Sequence, residues 1–382
     1  MIILRKREGG LALKVDLLQA LEASDITRTN ELFVEEMRKG SDPREVHLAL
    51  FPEVQRVLNP PFINPHLPKM YHIYRQLMPY LKEDEIPAFI GLELTEYARR
   101  PKLEKLPNAK PLTTPVSFKD VESAIQGQDR DKTAVLMATF YAQAGGVELA
   151  RRLLLLGSGY LQDSLGHSVS CTAFILLEML ERTNQDPWPA LVTLADYFCK
   201  GEFHTTPALR KTSAYPSDEV FDHHLLRATS GRGILNLHHT ITIYAIEHVR
   251  QFFTGEEYNH MIGAWITFME DKELRLVVLD PPKTKIQGDY SRFYDTFSML
   301  DAKSLVASMQ EMIASPQGRL ELGRFLIKGL CDRYQGDYNP HYLTGLGSAF
   351  WVADRCWKQS PVVVNAFYQY VDFLFDGLKS ND

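Results

Sequence analysis

Apolar residues recur at three- and four-residue spacings along most of the chain, the pattern of helices that bury one face. This periodicity predicts helices at 15–24, 70–81, 86–100, 134–156, 167–182, 189–201, 234–249, 260–270, 305–315, 341–357 and 362–378. Strand signals are scarce, and the β-branched run at 274–280 ends at Pro281 and Pro282, which predicts an extended loop segment. The pattern therefore predicts an all-α protein with a single large multi-helix domain.

The clearest interruption of this pattern is the segment 101–117, which contains Pro101, Pro107, Pro111 and Pro115. Closely spaced prolines cannot continue a helix, so the segment is predicted to be a connection. The segments on both sides are too apolar to fold alone. We therefore expect residues 1–382 to form one all-helical unit, with 1–60 as an N-terminal helical subregion and 101–117 as a proline-rich internal linker.

Composition and charge narrow the class of partner. The chain has 382 residues, of which 45% are hydrophobic and 24% charged, and its net charge is −6. This charge argues against nucleic acid as the main partner, because phosphate binding depends on clustered lysine and arginine. The N-terminus becomes charged within a few residues, and the unbroken apolar runs are too short to cross a bilayer. We expect a cytoplasmic protein without a membrane or nucleic-acid partner; the sequence leaves the oligomeric state open.

Histidines carry the main chemical signal. Of the twelve in the chain, four begin or precede separate predicted helices and have hydrophobic neighbours: His66, His167, His239 and His341. Imidazole is the commonest protein ligand for transition metals, and helical proteins build metal sites from side chains on facing helices. The four histidines are therefore predicted to bind one metal ion. A purely structural role stays open, because a single histidine at a helix start is more often a polar core residue.

Two choices within this set depend on helix geometry. His238 and His239 are adjacent, so they point about 100° apart on a helix and cannot both face one ion. The apolar seam through Thr242, Ile246 and Val249 favours His239 as the inward residue and His238 as a flanking or alternate one, and the sequence does not decide between them.

The acidic residue Asp163 lies four positions before His167, on the same face if the helix extends back that far. It is interpreted either as a carboxylate that orients this imidazole or as an acidic residue at the helix N-terminus.

Other chemistries lack their motifs. A ferritin-like di-iron site needs two Glu-x-x-His pairs, and the chain has only Glu257-x-x-His260. The zinc-protease motif HExxH, the serine-hydrolase motif GxSxG, the phosphate-binding P-loop and the Rossmann glycine motif are absent. No motif in the sequence supports NADPH as a cofactor, and the sequence leaves its use open.

Four segments resemble the questin oxidase-like family in the same order as in that family, and together they cover most of the chain from roughly residue 60 to 357. They are INPHLPKMYHIYRQL (63–77), LGHSVSCTAFILLEM (165–179), HHTITIYAIEHVRQF (238–252) and NPHYLTGLGSAFW (339–351). The third resembles the histidine-threonine helix of the family and aligns its histidine with His239. The last is similar to a segment that in the family reads as a histidine followed three residues later by lysine.

The resemblance implies an all-α oxygenase that oxidises aromatic polyketide rings of the anthraquinone type with dioxygen. It also implies a mononuclear non-haem iron held by His66, His167, His239 and His341, with a carbamylated lysine as a further ligand. The sequence departs from the family at Thr344, which stands where that lysine is expected, and at Pro65 and Lys69 in the first segment.

The leading functional hypothesis is an iron-dependent oxygenase acting on an aromatic small molecule with dioxygen. Two alternatives stay open at this point. One is a metal-dependent hydrolase or lyase that uses the same histidines around zinc, and the other is a non-catalytic helical binding protein whose histidines are structural.

Overall fold

The computed structural model of the chain describes residues 9–182, 185–201, 203, 217–279, 301–332, 334, 336, 339–356 and 360–379. Within these ranges the chain forms α-helices, two short 3-10 helices (Met78–Tyr80 and Arg250–Phe252), turns and loops, with two isolated β-bridges and no strand. The prediction of an all-α fold is therefore confirmed. The predicted loop at 274–279 is irregular, as expected, and residue 280 lies outside the described residues.

Eighteen α-helices follow one another in the described residues. They are α1 (Gly9–Glu22), α2 (Ile26–Arg38), α3 (Pro43–Ala49), α4 (Phe51–Val54), α5 (His66–Leu77), α6 (Ile86–Arg99), α7 (Phe118–Gln126), α8 (Arg130–Ala144), α9 (Gly146–Ser158), α10 (His167–Glu181), α11 (Trp188–Lys200), α12 (Asp218–Ala228), α13 (Gly233–His248), α14 (Gly255–Phe268), α15 (Ala302–Ile313), α16 (Pro316–Asp332), α17 (His341–Arg355) and α18 (Ser360–Lys379).

The structure divides one predicted helix in two. The apolar stretch 134–156 belongs to α8 and α9, and Gly145 between them has φ +90°. A residue in this conformation cannot continue a right-handed helix, and glycine adopts it without steric cost. The periodicity on both sides of Gly145 is helical, so the pattern alone does not reveal the break.

Several helices escaped prediction because their sequences are short, polar or contain glycine. An example is α16, which contains Gly323. A Cβ at this position would lie 2.3 Å from the ring of Tyr80. The glycine is thus explained by a close approach between α16 and a neighbouring turn, which the local sequence does not show.

Helix α10 lies at the centre of the helices that carry the candidate site. It packs against α5, α9, α11 and α13, and nearly all of its residues are buried. Helix α17 packs against α5, α13 and α18. As a result α5, α10, α13 and α17 surround one region of the interior, although they are spread over most of the sequence.

The proline-rich segment 101–117 follows the surface of later helices. The backbone N–H of Leu112 donates to Oγ1 of Thr139 at 3.0 Å, and that of Val116 donates to Oε1 of Gln143 at 2.9 Å. Among the helices that the structure describes, none combines the length and the apolar composition needed to span a lipid bilayer.

Candidate metal site

Four histidines from four helices bring their Nε2 atoms together. His66, His167 and His341 are the first residues of α5, α10 and α17, and His238 lies in the second turn of α13. The Nε2 atom of His167 lies 2.8 Å from Nε2 of His66, 3.1 Å from Nε2 of His238 and 3.4 Å from Nε2 of His341. All four side chains are buried. The structure thus brings His66, His167 and His341 together, and their binding of a metal stays a prediction.

The structure corrects the choice between the two adjacent histidines. His238 faces the other three, whereas the ring of His239 packs on Phe268 with 4.5 Å between ring centroids. Nδ1 of His239 lies 3.2 Å from Nζ of Lys272. The prediction of His239 as the inward residue was wrong, because α13 is buried on most of its faces and its apolar seam does not identify the one that meets the site.

Hydrogen bonds to Nδ1 hold three of the four rings with Nε2 towards the centre. His167 donates from Nδ1 to the carbonyl of Ser164 at 2.7 Å, and His238 donates to the carbonyl of Ile234 at 2.7 Å. His341 donates to Oδ1 of Asn339 at 2.8 Å. In a neutral imidazole this places the lone pair on Nε2, the arrangement that metal-binding histidines adopt.

The tautomer of His66 depends on the orientation of the neighbouring Asn59 amide. The amide nitrogen of Asn59 lies 3.3 Å from Nδ1 of His66, and in this orientation Nε2 of His66 carries the proton and donates to Nε2 of His167 at 2.8 Å. A half-turn of the Asn59 amide brings its oxygen to Nδ1 and makes that nitrogen the donor. The fourth Nε2 lone pair then points to the same place as the other three.

The spacing of these nitrogens fits a single transition-metal ion. Two imidazole nitrogens bound at about 2.1 Å lie about 3.0 Å apart at a right angle and about 3.4 Å apart at the tetrahedral angle. The three Nε2 separations from His167 span 2.8 to 3.4 Å. Candidate ligand atoms of His66, His167 and His341 all lie within 4.8 Å of one another.

The environment keeps the four imidazoles neutral. Burial, followed by the charge of nearby Lys69 and His238, lowers the pKa of His66 well below its usual value, and His167 and His341 shift in the same direction for similar reasons. Burial and then Lys69 lower the pKa of His238 to about 4. Neutral imidazole is the form that binds metal, so the donor set is ready at neutral pH.

Lys69 is a fifth functional group beside the histidines. It lies one turn after His66 on α5, is fully buried, and its pKa is lowered by burial. Its Nζ atom has no hydrogen-bond partner among the described residues. An amine buried without a partner is costly, which makes Lys69 a candidate functional group rather than a structural one.

The other two residues predicted near the site have different roles. Thr344 is buried, but its hydroxyl donates to the carbonyl of Pro340 at 2.8 Å within α17. Asp163 is exposed in the turn before α10, and the carbonyl of Ser164 orients His167 instead. The interpretation of Asp163 as the orienting carboxylate was wrong, because α10 begins only at His167 and does not extend back to Asp163.

A cavity of about 960 Å³ opens onto the histidines. All four line it, together with aromatic side chains from several parts of the chain: Phe62, Tyr160, Tyr197, Phe203, Tyr342 and Phe373. Its volume lies in the upper part of the range found for small-molecule sites, and its mainly apolar wall with a few converging polar groups is typical of them.

The orienting residue Asn339 was not predicted, although the sequence contains a signal for it. The tripeptide Asn-Pro-His occurs as Asn64-Pro65-His66 and as Asn339-Pro340-His341, each time at the start of a helix. In the second copy Oδ1 of Asn339 accepts from the backbone N–H of His341 at 3.0 Å as well as from its ring. The repeat therefore marks two helix starts that present a histidine to the cavity.

Comparison with known proteins gives no relative for this chain. No protein-family model, no curated protein and no solved structure matches it.

Proposed function

We propose that the protein is a non-haem iron oxygenase that binds one metal ion with His66, His167, His238 and His341 and acts on an aromatic small molecule with dioxygen. The observation that carries this proposal is the convergence of four Nε2 atoms at the wall of an aromatic-lined cavity. The four-histidine donor set and its nitrogen spacing suit a first-row transition metal. A bound iron supplies the one-electron chemistry by which dioxygen reacts with an aromatic ring.

The chain's own residues would hold and shield the reactants. Ser164, Ile234 and Asn339 fix the three imidazoles that donate from Nδ1, so little reorganisation is needed when a metal binds. The aromatic side chains of the cavity offer stacking faces for a flat ring and exclude water from it.

Metal content tests the proposal directly. Protein purified without oxygen from iron-supplemented cells should contain close to one iron per chain, and His167→Ala, His238→Ala and His341→Ala should each lose most of it. His239→Ala is the matched control, because it removes the neighbouring imidazole that packs on Phe268, and it should keep its iron. Wild-type protein with only background metal would overturn the proposal.

The identity of the metal separates oxygenase from hydrolase chemistry. An all-histidine set also suits zinc. Zinc bound in place of iron, with no oxygen consumed when aromatic substrates are added, would favour the hydrolase or lyase. A protein without metal that stays fully folded after removal of any one histidine would favour a binding protein.

We further propose that Lys69 takes the part that the family resemblance gives to the lysine expected at Thr344. Lys69 stands three residues after His66, so the histidine-x-x-lysine pattern occurs on α5 instead of α17. Its buried Nζ, unpartnered within the described residues, lies close enough to all four histidines for its charge to lower their pKa values. Reaction of this amine with carbon dioxide releases a proton and gives a carbamate, which would supply an anionic oxygen ligand.

The test of Lys69 uses a variant of similar size. Lys69→Met should lower the iron content, and wild-type protein incubated with ¹³C-bicarbonate should show a carbamate carbon signal that the variant lacks. Lys39→Met is the control, because Lys39 is half-exposed and pairs with Glu35 on α2. Full iron content in Lys69→Met together with no carbamate signal in the wild type would show that Lys69 has no such role.

A further inference from the structure

One wall of the cavity carries two arginines at the end of α6. Arg99 and Arg100 both line the cavity, and the Arg99 side chain is 41% exposed. Its contacts are loose: Nη1 lies 3.4 Å from the carbonyl of Gly336, and Nε lies 3.9 Å from Oε1 of Glu96. The guanidinium of Arg99 can therefore turn to a ligand without breaking a tight ion pair.

The two arginines of this wall contact the same carboxylate among the described residues. Glu96 is buried and accepts hydrogen bonds from Arg100 at 3.1 and 3.3 Å and from the hydroxyl of Tyr334. Among the described residues, Glu96 is thus the carboxylate that contacts both guanidinium groups, which bring positive potential to this side of the cavity. Within the described part of the lining, the acidic residue is Asp163, and it is solvent-exposed, where its charge is screened.

The backbone adds to this positive potential. Helices α5, α10 and α17 all begin at the cavity with His66, His167 and His341. The N-terminus of a helix carries a partial positive charge, so these three starts add to the positive potential of the cavity, which an acidic ligand would offset beside a bound metal.

The rest of the wall suits a flat apolar ligand. Tyr160, Phe203, Tyr342 and Phe373 line the cavity, and Phe62 and Leu235 lie on it while 60% and 58% exposed to solvent. An aromatic ligand that packs on this surface removes its ring from water and still presents a polar group to the arginines.

We propose that the ligand of this cavity is an aromatic acid, with its ring among the aromatic side chains and its carboxylate, or an equivalent acidic group, held by Arg99. The proposal rests on the proposed function for the aromatic nature of the substrate and adds the acidic group that fixes its orientation. A guanidinium binds a carboxylate through two parallel N–H···O bonds, which would set the direction in which the ring enters.

A matched pair of ligands tests this proposal: 2-naphthoate and 2-naphthamide share the ring and differ in charge. Calorimetric titration of wild-type protein should give tighter binding of the acid than of the amide, by roughly ten- to a hundredfold. Arg99→Gln should remove this preference and leave amide binding unchanged, and Arg99→Lys should keep part of it. Arg28→Gln should behave as wild type, because the Arg28 side chain is exposed on α2.

Each titration is done with metal-loaded protein and with protein treated with a chelator. An acid preference that is present in both forms and lost in Arg99→Gln supports the proposal. Equal affinity for acid and amide, no binding of either, or a preference that needs metal and survives Arg99→Gln would overturn it. Metal content is measured separately, so failure of the proposed metal site is distinguished from failure of the proposed ligand class.

Discussion

At the scale of single residues, the interior contains a carboxylate held by three basic side chains. Glu178 on α10 is fully buried and accepts from Nδ1 of His72 at 2.7 Å, from Arg75 at 2.7 Å and from Arg182 at 3.0 Å. Burial alone would raise its pKa, but the hydrogen bond from His72 and the charges of His72, Arg75 and Arg182 lower the pKa of Glu178 to about 2. The ionised carboxylate is thus part of the folded state.

This shift predicts a pH dependence of stability. Because the folded pKa lies below the usual value of 4.5, the contribution of Glu178 is complete above about pH 4.5 and is lost as the pH falls towards 2. The full contribution is on the order of 3 kcal/mol. Urea unfolding at pH 6 and pH 3 should show that the wild type loses about 2 kcal/mol more than Glu178→Gln over this interval.

The control for this measurement is Glu181→Gln. Glu181 also pairs with Arg75 but is half-exposed, so the variant should follow the wild type closely. At neutral pH, Glu178→Gln should already be less stable by about 3–5 kcal/mol, because the largely buried Arg182 loses its carboxylate partner and the buried His72 loses its charged acceptor. Parallel pH profiles for the wild type and Glu178→Gln would contradict the assignment.

At the scale of elements, the start of α10 is set by a glycine that no other residue can replace without strain. Gly166 has φ +76°, and a Cβ at this position would lie 2.0 Å from Oγ1 of Thr242 on α13. Thr242 in turn donates to the carbonyl of His238 at 2.7 Å. The glycine therefore sets the approach of α10 to α13 immediately next to two histidines of the candidate metal site, His167 and His238.

Gly166→Ala is predicted to cost stability and to disturb the site together. The positive φ costs about 1–2 kcal/mol in any residue with a Cβ, and the clash with Thr242 adds about 1–3 kcal/mol. Gly40→Ala is the control, since Gly40 has φ +79° and a Cβ added there would meet no atom within 4 Å. Unfolding free energies and metal content should both fall in Gly166→Ala, whereas Gly40→Ala should lose only the smaller backbone contribution and keep its metal.

The sequence predicted the elements more fully than the site, for a physical reason. The long helices α6, α10 and α18 were predicted from the helical spacing of their apolar residues, and the histidines that begin α5, α10 and α17 could be identified from their place before an apolar run. The same reasoning failed for α13, because every residue from Leu237 to Ile246 except His239 is buried. A helix buried on most sides has no single apolar face that points to its partner.

Contacts between distant segments also lay beyond the reach of sequence reasoning. Lys69 has the local spacing of a helix residue, and only the packing of α5 against α10 and α17 shows that it is buried beside the histidines. Lys272 meets His239 from a loop beyond α14, and no periodicity predicts such a meeting. The sequence therefore does not show which polar residues meet across helices. These contacts decide which of them belong to the candidate site.

At the scale of the whole molecule, the candidate metal site connects segments that are far apart in the chain. Its four histidines span residues 66 to 341, and the proline-rich segment 101–117 lies between the first and second. That segment is fastened by hydrogen bonds to α8 and, through Nε1 of Trp188 to the carbonyl of Leu106 at 3.0 Å, to α11. A ligand bound by all four histidines would thus stabilise the packing of most of the chain at once.

This arrangement predicts that metal raises the temperature of one common unfolding transition. An ion that binds only the folded protein stabilises it by about 2.7 kcal/mol at a free concentration one hundred times its dissociation constant. Calorimetry of chelator-treated protein should show a single transition that moves up by several degrees when metal is restored, and His167→Ala should show no such movement. Two transitions, of which metal shifts only one, would instead contradict this prediction, because α5 carries His66 and packs against both α10 and α17.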